Sequence, residues 1–291
     1  MNALIHLTSR NNKLFRRDRT LLLLSLLAVL IVILLNTVFL KQTQLNAIEE
    51  MIGLSPSVES MINEWMVAGL LSITAFTTTL GAFGIMIRDK ESKKTHDFLT
   101  APLSRSTIQF SYVINAFIIG FASTLLAFIA CEMFLVITGS NLLSFLESLQ
   151  IIGIITLTVA LSSAINLFLV LFINTQNSFS TLSTIVGTVI GFLCGVYIPV
   201  GVLPTYVQQI IMYFPVSHTS VLFRQVFMAD SIDKVFEGAP SEVLLEYQRN
   251  TGVIYELNSV TLSNSISVGF IITATIVFAV ISILLFKRKN K

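Results

Sequence analysis

The chain alternates long, unbroken apolar runs with short polar connections. Runs at 20–40, 63–87, 108–138, 151–173, 178–198 and 266–286 each approach or exceed the about 20 residues that an α-helix needs to cross a bilayer. They are continuous and lack a two-residue alternation, so they read as helices and not as barrel strands. The pattern predicts an all-α polytopic membrane protein with six transmembrane helices. A seventh apolar patch, 202–214, is too short to span and is bounded by Pro199, Pro204 and Pro215. It predicts a re-entrant or interfacial segment following the fifth span.

The polar stretches organise the rest. In 1–19, Leu4, Leu7, Leu14 and Phe15 recur between Arg and Lys, which predicts an N-terminal amphipathic helix lying along the inner membrane surface. The run at 20–40 follows basic residues as a signal peptide would. Its length and the absence of a small-residue cleavage site after it predict a retained first span. The connection 174–177 is short enough to force its two flanking spans into an antiparallel hairpin. An outer segment at 199–264 is the longest, with a short helix expected over 241–250 behind Ser241 as N-cap. No fixed-period repeat is visible, so the inverted-repeat signature of many secondary carriers is not evident.

Charge orients the spans. Of the 18 Lys and Arg residues, fourteen fall before the first run, in the loop 88–106 or in the tail 287–291. The other connections hold most of the acids, including Glu49, Glu50, Glu59, Glu237, Glu242 and Glu246. Basic loops stay in the cytoplasm, so both termini are expected inside, with 199–264 outside. A net charge of +2 hides this asymmetry, and anionic lipid headgroups, not nucleic acid, are the partners it implies. Composition adds the exclusion of other classes. With 54% hydrophobic and 12% charged residues, the chain has half the roughly 25% charge of soluble domains and too much apolar content for disorder.

The chain carries few motifs associated with chemistry. There is no Gly-Lys pair anywhere, hence no phosphate-binding loop, and no G-x-S-x-G elbow. His6, His96 and His218 are scattered, without metal-ligand spacing. Cys131 and Cys194 both fall within runs and read as small hydrophobes in helix packing. Glu132 is the one charged residue lying away from the edge of a run, and a carboxylate there is either a functional site or a side chain reaching the outer interface. Asn115 and Asn166 join it as mid-span polar residues, more often interhelical hydrogen-bonding groups than substrate ligands. No catalytic, cofactor or metal site is expected on this chain. The loop 88–106 carries Phe98, Leu99 and Leu103 among its charges with Pro102 as punctuation, which suggests an apolar face exposed for a soluble partner.

The run Asp97, Phe98, Leu99, Thr100, Ala101, Pro102, Leu103, Ser104, Arg105, behind Arg88 to Glu91, resembles the cytoplasmic loop of type-2 ATP-binding-cassette (ABC) transporter permeases. The stretch from Val196 through Pro199 and Pro204, then Phe214, Pro215, His218 and Arg224, resembles the two short re-entrant helices of that family. Lys93, Lys94, Thr95 and His96 depart from it, since many members carry Gly-Thr and an acid there. The resemblance implies a six-span permease with 1–19 as connecting helix, 20–286 as transmembrane domain and 88–106 as coupling loop. Glu91, Asp97, Phe98, Leu99, Pro102 and Arg105 would then engage a separate P-loop ATPase, which binds ATP and Mg. A second permease copy, as homodimer or heterodimer, would complete the pathway. The expected function is export of an amphipathic substrate, such as a drug, antimicrobial peptide or lipid-linked molecule, across a bacterial plasma membrane. A membrane sensor on the same fold, or an ion-driven secondary carrier, is the alternative.

Overall fold

The computed structural model describes residues 2–17, 34, 42, 45, 56–94, 98, 100, 103–257 and 260–289. Apart from one antiparallel pair of two-residue strands, β1 (Glu256–Leu257) and β2 (Val260–Thr261), its regular elements are helical. The chain opens with α1 (Asn2–Arg17). Four long helices follow: α2 (Pro56–Glu91), α3 (Arg105–Ile137), α4 (Phe145–Val170) and, after a tight reversal, α5 (Gln176–Leu193). A 3-10 turn (Val200–Val202) leads into the short helices α6 (Thr205–Tyr213), α7 (Pro215–Phe227), α8 (Ala229–Val235) and α9 (Ser241–Thr251). Helix α10 (Asn264–Lys289) ends the described chain.

Local chemistry sets where these helices start and stop. Ser104 accepts a hydrogen bond from the Thr107 amide at 3.1 Å and so opens α3. Ser144 and Glu147 form a reciprocal capping box at the start of α4. Thr175 accepts from the Ser178 amide at 3.3 Å to begin α5. The far end of α5 is made by Gly195, at φ +62°, a left-handed conformation that a side chain would resist. The fifth run was expected to extend to 198; the helix stops at Leu193 for this reason. Gly252, at φ +68°, ends α9 in the same way. Pro240, not Ser241, occupies the N-cap position of α9, with no side-chain cap.

Among the described residues, four helices are long and apolar enough to cross a membrane: Ser57–Glu91, Arg105–Ile137, Phe145–Val170 and Asn264–Phe286. The first expected span, 20–40, lies outside the described residues except for Leu34. Helix α5 has 18 residues and opens on Gln176 and Asn177, which dilutes its apolar stretch. Of the apolar window of α2, 83% is buried, against 17% for α10. Helix α2 is therefore the central strut, about 54 Å long at 1.5 Å per residue, and α10 lies at the periphery.

Around α2 the core divides lengthwise. Its N-terminal half (Met61, Trp65, Leu70) packs with Phe128 and Leu135 of α3, Ile151 and Ile155 of α4, and Phe223 and Phe227 of α7. Its C-terminal half (Leu80, Phe83, Ile87) packs with Phe15 of α1, Ile108 and Tyr112 of α3, Val170 of α4 and Phe179 of α5. Helix α1 thus rests on the protein itself, with Phe15 and Asn11 buried and Ile5 exposed. The apolar faces left uncovered, such as Met133 and Ile137 of α3 and Ile276 and Leu284 of α10, suit a lipid solvent.

Candidate functional site

Two polar clusters stand at opposite ends of α2. The first gathers where α2 finishes. The residues Arg88 to Glu91, expected in a loop, form the last turn of that helix. Asp89 is buried there and accepts from both arms of the Arg10 guanidinium, at 2.5 and 2.8 Å, so that α1 is pinned to α2. The Tyr112 hydroxyl of α3 donates to the same carboxylate at 2.7 Å. Asn11 adds a bond from its amide to the Ser111 hydroxyl at 3.3 Å. The hydrogen bonds that Arg10 donates to Asp89 hold its pKa above the ordinary value, so the guanidinium stays charged.

Neighbouring charges clip the α4–α5 reversal to the same place. Lys90 donates to the Ile173 carbonyl at 2.8 Å, and the exposed Glu91 accepts from the Gln176 amide at the start of α5, at 3.3 Å. Gln176 in turn donates to the Gly84 carbonyl of α2 at 3.0 Å. Three elements, α1, α3 and the α4–α5 hairpin, are thereby tied to one helical turn. Phe98 was expected to be exposed; it is half-buried, with the Arg10 guanidinium 5.2 Å above its ring. Leu103 is also half-buried against the same core. The correction has a simple cause: a ring beside an ionised Arg gains a cation–π contact within the chain. Arg105 is exposed at the first position of α3. Asp97, Leu99 and Pro102 lie outside the described residues.

The second cluster surrounds Arg224, which is fully buried on α7. Its guanidinium donates to the carbonyls of Cys194 (3.0 Å) and Gly195 (2.8 Å) at the end of α5, and to Gly252 (3.2 Å) at the end of α9. Both are helix C-termini, where the dipole and unpaired carbonyls favour a cation. The ring of Trp65 lies 4.8 Å from the guanidinium carbon, and its indole N–H donates to the Thr251 carbonyl at 2.7 Å. Close approach here needs small residues: a Cβ on Gly69 of α2 would sit 2.3 Å from a Val196 methyl.

His218, one α-helical turn and a half earlier, bridges α7 to α10. Its Nε2 lies 2.8 Å from the Met212 carbonyl and its Nδ1 3.1 Å from the Ser267 hydroxyl. A carbonyl can only accept, so Nε2 carries the proton and Nδ1 accepts from Ser267. Pro199 and Pro204 sit at the N-cap positions of the 3-10 turn and α6, and Pro215 opens α7. The apolar patch 202–214 becomes α6, with Tyr206, Ile210 and Tyr213 exposed. It is the following helix, α7, that is buried among α2, α4 and α10.

The mid-span polar residues resolve individually. Asn166 of α4 donates to the Phe76 carbonyl and the Thr79 hydroxyl of α2, both at 2.8 Å, and so acts as interhelical glue. Asn115 is buried with neither amide atom partnered among the described residues. Glu132 is half-buried and reaches back to the Leu143 amide at 3.4 Å in the α3–α4 connection. Sequence reasoning missed Glu64 on α2, buried at 6% exposure, because it sits at the edge of an apolar run. It also missed Trp65 as the platform for Arg224; the unique Trp was the only available signal.

Long apolar helices around a central strut, with buried polar groups such as Asn166 bonded between helices, define a polytopic helical membrane protein. Residues 2–228 match the ABC-2 type transporter family, and the chain belongs to that family. It is accordingly a membrane permease subunit of an ABC transporter, a class that works with an ATPase partner. No curated protein matched the sequence.

Proposed function

We propose that this chain is the permease of an ABC exporter in a bacterial plasma membrane. It would work as a dimer with six spans, both termini cytoplasmic, and short re-entrant helices on the outer side. ATP hydrolysis takes place on a separate ATPase that holds ATP and Mg, and closure of that partner presses on the coupling loop 88–106. The observation that carries this reading is the attachment of α1, α3 and the α4–α5 hairpin to the Arg88–Glu91 turn. A push on the loop is then delivered to four helices at once, because the Asp89 ion pair and its neighbours leave little slack. Arg224 supports the reading from the other end, since it couples α7 to α2, α5 and α9 as one body.

The exported substrate is read as amphipathic, because the helices present apolar faces with few charges. The experiment is reconstitution with its P-loop ATPase, sought first in the neighbouring reading frames, followed by ATP-driven transport of amphipathic drugs and peptides into inside-out vesicles. ATP-dependent accumulation that needs both subunits supports export. ATP turnover stimulated by such compounds without their movement would replace it by a sensor, and transport persisting without the ATPase would replace it by an ion-driven carrier.

A further inference from the structure

At the end of α2 remote from Asp89, a cavity of about 150 Å³ opens between α2, the α3–α4 connection and the start of α8. Its polar wall comprises Ser57, Ser60 and Glu64 of α2, Ser140, and Asp230 and Ser231 at the start of α8. Asn141, Glu147, Leu142, Leu143 and Phe227 also line it, as does the exposed Lys234 at the rim. Glu64 is 6% exposed and its Oε2 atom has no hydrogen-bond partner among the described residues. Ser140 is 9% exposed, and its hydroxyl has none either. A buried carboxylate oxygen and a buried hydroxyl without partners in one small space form an incomplete network, and buried polar groups are ordinarily satisfied.

The missing component is a donor. Ser231 and Ser140 line the same cavity and their hydroxyls can accept as well as donate, so a cation with several N–H groups would satisfy the Glu64 carboxyl and both hydroxyls at once. A metal ion suits it less: among the described residues, no three His, Cys, Asp or Glu side chains stand close enough together to hold one. A quaternary ammonium suits it less too, because it has no N–H and needs an aromatic cage, whereas Phe227 is the only ring in the lining. A primary ammonium brings three donors and a compact charge.

We propose that this cavity is a binding site for a primary alkylammonium group. Glu64 supplies the counter-charge, and the hydroxyls of Ser140 and Ser231 accept the remaining N–H bonds. Asp230 and Glu147 draw the cation in, while Lys234 at the rim competes for the same carboxylate. The apolar side of the cavity, Leu142, Leu143 and Phe227, takes the first carbons of the alkyl chain. The site stands apart from the export reading, since binding to the purified chain needs neither ATPase nor transport.

The test is thermal unfolding of the full-length chain in zwitterionic detergent, titrated with n-butylamine hydrochloride at pH 7. The unfolding midpoint should rise with amine concentration, because a ligand that binds only the folded state stabilises it. Butyltrimethylammonium and n-butanol, which share the chain but lack N–H donors or charge, should not reproduce the rise. Glu64→Gln should abolish the response and Glu64→Asp should retain it at weaker affinity. Should Glu64→Gln not fold, Ser140→Ala decides, with an expected loss of about three- to ten-fold in affinity for one hydrogen bond. Lys234→Met should tighten binding by removing the resident competitor. An equal rise with butyltrimethylammonium or butanol overturns the proposal. So does a rise with calcium chloride alone, no rise at all, or an unchanged response in Glu64→Gln and Ser140→Ala.

Discussion

Trp65 and Arg224 face each other in the interior, the guanidinium carbon 4.8 Å from the ring centroid, and each donates to the C-terminal turn of α9. The pair therefore locks four helices, with α5 held through the Cys194 and Gly195 carbonyls. Arg224→Met should lower stability by about 3–5 kcal/mol, as three carbonyls lose a charged donor. Arg224→Lys should fall between, since an ammonium cannot fork to two helix ends. Unfolding midpoints in detergent measure both; equal behaviour of Lys and Met would deny the fork its role.

Gly195 gives an independent check on the same joint. A Cβ there meets a Val200 methyl at 2.9 Å, and φ is +62°. Gly195→Ala should destabilise by about 1–2 kcal/mol, the left-handed penalty. Gly153→Ala on α4 meets nothing within 4 Å and should be neutral or stabilising by up to about 1 kcal/mol. Thermal unfolding of the two variants side by side separates conformational strain from general intolerance.

Asp89→Asn removes the charge that pins α1. The loss should be about 2 kcal/mol, reduced from a fully buried pair because Arg10 is partly exposed. Trypsin sites at Arg10, Lys13 and Arg16 should then be cleaved faster than in the parent chain. Tyr112→Phe, which loses one neutral donor, should change the rate less.

The coupling loop should bind the ATPase through Phe98 and Leu99. Replacing both with Ser should reduce ATPase co-purification and export together at equal membrane expression. Phe98→Ser alone also loses the Arg10 contact, so it should accelerate trypsin cleavage of α1, whereas Leu99→Ser tests the partner contact by itself. Unchanged recovery of the ATPase with the double variant would remove the loop from coupling.

Orientation is checked by cysteine labelling in intact cells. Cysteines at 49 and 242 should react with an impermeant thiol reagent, and those at 93 and 291 should not. Background is expected to be low, because Cys131 and Cys194 are buried. Labelling at 93 would invert the topology.

What the sequence determined by itself is everything that rests on local pattern. Run length marks α2, α3, α4 and α10 as spanning helices, since a bilayer demands uninterrupted apolar residues and satisfied backbone. The amphipathic α1 and the breaks at Pro199, Pro204 and Pro215 were legible from the same kind of local pattern, and so was the family. Tertiary structure alone decided the partners of the few polar groups inside. Arg10 and Asp89 are 79 positions apart, Trp65 and Thr251 are 186, and no spacing rule links such residues. Helix α7 is short and rich in polar residues, yet it is buried. Ser217 bonds the Ile211 carbonyl, Thr219 bonds Ser72, and Arg224 caps two helices, so its polarity is consumed by neighbours that the sequence does not place beside it.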